Sequence, residues 1–75
     1  MNATAIDKLT IIMDAINAGK TVYIGTYLHC WKVTAKTLDR WTKAGIELFK
    51  VKGNSLYMAF GKRYDCIDFC AIKIV

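Results

Sequence analysis

The sequence predicts a small α+β domain, in which two helices pack on one face of a mainly antiparallel sheet in the chain order α-β-α-β-β-β. Three observations support this prediction. Apolar residues recur at helical spacing near the amino end, capping residues bracket a second helix, and glycine turns separate strand-like segments after residue 45. With 75 residues, the chain is expected to form one domain, residues 1–75.

The first helix is predicted over residues 4–18 and ends at Gly19, which suits the left-handed position after a helix. Its apolar positions follow helical spacing and share one side, namely Ile6, Leu9, Ile12, Met13 and Ile16. Ile11 falls outside this group and lies near Asp7 and Asp14 on the helix surface. Ile11 is therefore a candidate contact for a protein partner, and a single exposed apolar residue is the alternative.

Residues 21–32 allow two interpretations. As a strand, one face would carry the following residues: Tyr23, Tyr27, His29 and Trp31. As a short helix, residues 26–31 would place Tyr27 and Trp31 four positions apart on one side. The β-branched and aromatic content favours the strand, with Gly25 as a bulge or bend.

The second helix is predicted over Ala35–Ala44, because Thr34 is a suitable N-cap and Gly45 a suitable residue after the last turn. Leu38 and Trp41 share its apolar side. At 100° per residue, three cations lie nearly opposite them: Lys36, Arg40 and Lys43. The helix should therefore place its apolar side on the core and its cationic side towards water or an anion.

A three-stranded meander is predicted to follow. Its strands are Ile46–Lys52, Leu56–Phe60 and Cys66–Val75, with turns at Gly53-Asn54 and at Gly61. The last strand ends without a polar cap. An exposed edge strand of this kind invites pairing with a second copy, so a homodimer is expected.

The net charge of +5 points to an anionic partner. Residues 20–53 carry seven of the eleven basic residues, so the middle third is the basic part of the chain. Basic domains attract polyanions, of which nucleic acid is the commonest, although net charge also serves solubility. No apolar run reaches the roughly 18 residues of a membrane span, and no export signal is visible. We therefore expect a cytoplasmic protein with no membrane contact.

Residues suited to catalysis or metal binding are scarce. Cys66 and Cys70 on one strand would lie about 13 Å apart, too far for both to ligate one zinc ion. We expect free thiols and no metal or other cofactor. The single histidine and six carboxylates show no acid–base pair by spacing, so the chain is not expected to be an enzyme.

Two sets of residues are candidates for binding. The first combines the cationic helix with the hairpin after it, and would contact phosphates or an acidic partner: Lys36, Thr37, Arg40, Lys43, Lys50 and Lys52. The second is aromatic and would stack single-stranded bases: Tyr23, Tyr27, Trp31 and Tyr57. The alternatives are an ordinary solvated helix face for the first set and core packing for the second.

The segment VTAKTLDRWTKAGI, residues 33–46, resembles the second half of the helix-turn-helix in small phage excisionases, through its T-x-x-R-W…A-G run. The resemblance implies a helix in the DNA major groove, with Thr37 nearest the base edges and the following hairpin as a wing along the backbone. It also implies that residues 26–31 form the first helix of the pair.

In size and composition the chain resembles small accessory proteins of phages and mobile elements, including anti-CRISPR inhibitors. This resemblance implies an alternative function, the occlusion of a host or defence complex through protein–protein contact. The basic charge excludes mimicry of DNA, so such an inhibitor would occupy an acidic surface of its target.

Overall fold

The computed structural model describes residues 4–26 and 28–75 and has the predicted α+β class. The elements are α1 Ala5–Asn17, β1 Val22–Gly25, β2 Cys30–Val33, α2 Ala35–Lys43, β3 Phe49–Lys52, β4 Ser55–Phe60, β5 Arg63–Cys66 and β6 Ala71–Ile74. The strands form two antiparallel three-stranded sheets, ordered β2-β1-β6 and β3-β4-β5. The prediction of one sheet was therefore wrong, while the order of helices and strand-rich segments was broadly correct.

The predicted strand Cys66–Val75 is two strands that belong to different sheets. β5 ends at Cys66, and residues 67–70 carry the chain across to β6. The Ile67 N–H donates to the Leu56 carbonyl, and the Leu56 N–H donates to the Asp68 carboxylate at 2.8 Å. The Asp68 side chain thus accepts a hydrogen bond from a backbone N–H that would otherwise pair with a continuing strand. The alternation of residue types that predicts a strand continues through this turn, so the sequence pattern does not reveal the turn.

Residues 21–26 and 28–32 form neither one strand nor a helix. β1 and β2 pair as a hairpin, closed by a turn in which the Thr26 N–H donates to the His29 carbonyl at 2.7 Å. Gly25 is the last residue of β1, and only glycine fits there because a Cβ would lie 2.2 Å from the His29 carbonyl oxygen. The glycine therefore permits a close backbone approach, and the predicted bulge is absent from the β1–β2 ladder. Tyr27 lies outside the described residues.

Both predicted helices are confirmed, and so are the predicted N-cap Thr34 and the glycines that follow the helices, Gly19 and Gly45; the cap at Thr4 was not predicted. The Thr4 hydroxyl accepts the Asp7 N–H at 3.1 Å, and the Asp7 carboxylate accepts the Thr4 N–H at 3.3 Å. This reciprocal pair is a capping box. Thr34 caps α2 in the predicted way, and Gly45 follows its last turn at φ 77°. The Ile46 N–H then donates to the Trp41 carbonyl, which closes a Schellman motif.

The core lies between α1 and the inner faces of both sheets. Ile12 of α1, Ile24 of β1 and Leu56 of β4 are among its most deeply buried side chains. By contrast, no residue of α2 is fully buried, and Leu38 and Trp41 pack on the core while partly exposed. Within residues 4–26 and 28–75, no helix has the length and apolar character needed to cross a membrane.

The β3–β4 hairpin turns at the predicted Gly53-Asn54 pair. Gly53 has φ 63° as the first turn residue, which defines a type II′ turn. β3 begins at Phe49 rather than at the predicted Ile46. The Asn54 side-chain oxygen accepts the Ala5 N–H at 3.4 Å, so the hairpin tip contacts the start of α1.

Candidate nucleic-acid interface

The three predicted cations of α2 differ in their surroundings. Lys36 and Arg40 are exposed. Lys43 forms an ion pair with Asp39, with Nζ and Oδ2 3.0 Å apart and both side chains largely exposed. An exposed pair at this spacing contributes little to stability, but it partly neutralises the cation. Lys36 and Arg40 are therefore the stronger candidates on this helix.

A cleft of about 480 Å³ adjoins the beginning of α2, and we call it the amino-end cleft. Its cationic lining residues are Lys20, Lys32 and Lys36, beside the hydroxyls of Thr34 and Thr37. Sequence reasoning missed Lys20 and Lys32 as site residues. Lys20 is placed here by the turn that ends α1, where its N–H donates to the Ala15 carbonyl, and Lys32 by its position on β2.

A second cleft of about 400 Å³ lies between α2 and the sheets, and we call it the aromatic cleft. Its aromatic lining is Trp31, Trp41 and Phe60, all half-buried. Arg40 and Lys32 line the same cleft and are exposed to solvent. The sequence pattern assigned Trp41 to the core and gave Phe60 no binding role. The spacing of aromatic residues alone cannot distinguish a binding role from core packing.

A third cleft of about 410 Å³ brings Lys50 and Lys62 together, and we call it the hairpin cleft. The Lys50 Nζ lies 4.6 Å from the centre of the Tyr64 ring, a cation–π distance. The Tyr64 hydroxyl donates to the Glu47 carbonyl, which holds the ring in place. Lys50 is thus positioned by an aromatic residue that the sequence did not single out.

The aromatic cleft adjoins each of the other two clefts. The amino-end and aromatic clefts share Lys32 and Thr37, while the aromatic and hairpin clefts share Gly61. We call their six cations the basic track: Lys20, Lys32, Lys36, Arg40, Lys50 and Lys62. The predicted Thr37 lies within it, between Lys36 and Arg40 on α2.

Lys52 lines none of the three clefts. It is paired with Ser55 next to the hairpin tip, and Asn54 at that tip contacts the start of α1. The first helix that the excisionase resemblance implies is not formed at residues 28–31, because Cys30 and Trp31 belong to β2, in line with the favoured strand. Within the described residues the excisionase-like pair of helices is therefore absent, although an exposed cationic helix followed by a hairpin remains.

The four predicted stacking aromatics do not share one surface. Tyr23 is paired with Lys32 and Ile24 with Trp31, so Tyr23 and Trp31 point to opposite faces of their sheet. Tyr57 lies on β4 in the other sheet. Tyr27 is outside the described residues. Trp31 instead meets Phe60 edge-on, with ring centres 4.7 Å apart.

The cysteines are free thiols, but the prediction that Cys66 and Cys70 lie along one strand was wrong. Cys66 and Cys70 flank the turn between β5 and β6 rather than lying along one strand, and both line a cleft of about 330 Å³. Partial burial raises the pKa of the Cys70 thiol, and the neighbouring Cys66 raises it further. Across residues 4–26 and 28–75, no group of three or more His, Cys, Asp or Glu side chains is arranged to hold a metal ion.

Ile11 is 52% exposed on α1, as a protein-docking role requires. Ile6 is also exposed, but five residues separate the two, which places them about 140° apart around the helix. They therefore do not form one continuous apolar stripe.

No family model, curated protein or solved structure matches this chain. Its function is therefore inferred from its own geometry and charge.

Proposed function

We propose that this chain is a small non-enzymatic module that binds nucleic acid through α2 and the surface around it. The observation that carries the proposal is the basic track, in which cations from separate parts of the fold line three adjoining clefts. A cytoplasmic location and an origin in a phage or mobile element, both expected from the sequence, belong to the same proposal.

The charge distribution supports a polyanion as partner. The chain has a net charge of +5, and Glu47 is the acidic residue that lines the same clefts as the six cations. Phosphates spaced along a nucleic acid can meet successive cations of such a track, and each contact releases bound counterions. This release favours binding at low salt and makes the affinity fall as salt rises.

The test is a salt titration of binding to mixed-sequence DNA and RNA, both single-stranded and duplex. The double variant Lys36→Gln, Arg40→Gln removes two cations of the basic track, and Gln is a good helix former, so the fold should persist. We expect weaker binding and a flatter log–log salt slope. Each lost phosphate contact accounts for about 0.9 with duplex and about 0.7 with single strands, so the slope should change by about 1.8 and about 1.4, respectively.

The matched control removes the same charge outside the basic track. Lys8 lies on α1 and Lys73 on β6, so the variant Lys8→Gln, Lys73→Gln should keep most of the wild-type salt slope. Equal losses of affinity and of salt slope in the two double variants would show that net charge alone attracts the nucleic acid. Wild-type protein that binds none of the probes at about 50 mM salt would end the proposal.

A second candidate function is a phage-type inhibitor that occludes a host protein complex, and the exposure of Ile11 favours it. Under this candidate, a host protein captured from lysate would survive nuclease treatment and would be lost in the Ile11→Asp variant. The Lys36→Gln, Arg40→Gln variant would still capture that protein if Ile11, rather than the basic track, forms the contact. These results would favour inhibition over nucleic-acid binding.

A further inference from the structure

The aromatic cleft combines two properties that the other clefts of the basic track lack together. Two tryptophans and Phe60 line it, and its volume of about 400 Å³ lies within the range of small-molecule sites. Arg40 and Lys32 line the same space from α2 and β2. The Lys32 side chain lies on the opposite face of β2 from Trp31, so Arg40 is the cation beside the apolar ring faces.

The aromatic residues are held in place from several sides. Trp31 contacts Phe60 edge-on at an interplanar angle of 65°, and His29 lies beside Trp31 with ring centres 5.9 Å apart. Trp41 is carried by α2, whose end is closed by the Gly45 turn. All three cleft aromatics are residues of intermediate burial that line the cleft, although they also pack on the core.

Cations continue from the aromatic cleft in two directions. Towards the beginning of α2 the amino-end cleft adds Lys20 and Lys36, and towards the β4–β5 turn the hairpin cleft adds Lys50 and Lys62. A chain of phosphates can therefore enter on one side of the aromatic cleft and leave on the other. This charge arrangement suits a nucleic-acid strand, whose bases supply the flat rings that stack on aromatic side chains.

We propose that the aromatic cleft binds an unpaired base of a single-stranded nucleic acid, while the basic track holds the phosphates on either side. The proposal rests on the proposed function and adds the form of nucleic acid that is preferred. A base paired within a duplex is stacked between its neighbours and cannot enter such a cleft without first unpairing. Single-stranded DNA or RNA should therefore bind more tightly than duplex of the same sequence.

The test compares a mixed-sequence 12-base single strand with its duplex, using Trp41→Leu and Phe60→Leu as separate variants. Leucine keeps the site apolar but removes the ring. Each variant should lose about tenfold in affinity for the single strand with an unchanged salt slope, and should bind duplex as the wild type does. Heparin, which binds by charge without bases, should be bound equally by all variants.

The matched control is Phe69→Leu, because Phe69 is 96% exposed in the turn between β5 and β6, outside the aromatic cleft. It should bind the single strand as tightly as the wild type. Circular dichroism establishes that each variant is folded. A second measurement needs no variant: the single strand should quench the tryptophan fluorescence of the wild type, and heparin should not.

The possible outcomes separate the two proposals. Binding of single strand and duplex with equal affinity, or single-strand affinity within twofold of wild type in folded Trp41→Leu and Phe60→Leu, would overturn the base-binding cleft and leave the proposed function intact. Absence of binding to every nucleic acid would overturn both. Both proposals would be supported by weaker single-strand binding in Trp41→Leu and Phe60→Leu with unchanged duplex binding, together with tryptophan quenching of the wild type by the single strand.

Discussion

The Asp68 carboxylate accepts the Leu56 N–H at 2.8 Å, and Ser55 is the neighbouring polar residue. The Leu56 N–H favours the charged form and is the largest cause that holds the pKa of Asp68 below its ordinary value, with the Ser55 side chain as the second. The same contacts help to hold the turn that carries the chain from β5 to β6. One side chain thus contributes to the crossing between the two sheets.

Asp68 should make the stability of the protein depend on pH. Because its pKa is lower in the folded state, its contribution is present above the ordinary pKa of about 3.9 and is lost as pH falls through the folded pKa. We expect Asp68→Asn to lower the urea midpoint at neutral pH. The difference in midpoint from wild type should narrow as the pH falls from the ordinary pKa through the folded-state pKa of Asp68.

Urea unfolding at a series of pH values measures this effect, with Asp39→Asn as the control. Asp39 makes an exposed ion pair with Lys43, so its removal should change the midpoint little at any pH. A constant difference between wild type and Asp68→Asn across the acid range would contradict the role assigned to the carboxylate.

At the scale of elements, the two helices are attached to the fold very differently. α1 buries four residues, including Ile12 and Ile16, and contacts strands of both sheets. α2 buries none and packs through the half-buried Leu38 and Trp41. The helix with the greater role in the proposed function is therefore the less firmly packed one.

We expect the backbone amides of α2 to exchange with deuterium faster than those of α1. Local opening costs less where few apolar contacts are broken, and α2 is also the shorter helix, at nine residues against thirteen. Residue-resolved hydrogen exchange by NMR measures the difference, and the amides of β4 in the core serve as a protected reference. Equal protection of the two helices would show that Leu38 and Trp41 anchor α2 as firmly as burial anchors α1.

At the scale of the whole molecule, the free edge of β6 is the feature most suited to self-association. Within the described residues β6 pairs with β1 and with no second strand. Thr21 and Val75 exchange hydrogen bonds at 2.9 and 3.0 Å, so by antiparallel alternation the N–H of Ile74 points away from β1. That outward donor is available to a second copy.

We expect a homodimer in which two β6 strands pair, as the sequence predicted from an exposed edge. Ile74→Pro removes the outward N–H without removing a hydrogen bond to β1 and should give a monomer. Ile74→Ala makes the matched control, since it shortens the side chain and keeps the N–H, and it should remain dimeric.

Light scattering at high micromolar concentration measures the mass of each protein. Wild-type protein with the mass of a single chain would contradict dimer formation. A dimeric Ile74→Pro variant would show that the two copies meet elsewhere than at β6.

Local signals in the sequence were sufficient for the helices and turns. Thr34 and Gly45 bracket α2 because capping depends on neighbouring backbone groups, and Gly53 closes its hairpin because a positive φ is a property of one residue. The exposure of Lys36 and Arg40 also followed from helical spacing, since they lie opposite the apolar side of α2. These features depend on groups a few residues apart.

The tertiary structure decided which strands share a sheet and which cations meet. Strand-like alternation continues through residues 66–75, so it could not reveal the turn made by Asp68, whose partner Leu56 is twelve residues away. Lys20 and Lys32 reach the beginning of α2 only through the folding of α1 and the β1–β2 hairpin. The sequence by itself determined the local elements and the charge available to bind an anion. The tertiary structure alone determined the basic track and the aromatic cleft, because both depend on contacts between residues far apart in the chain.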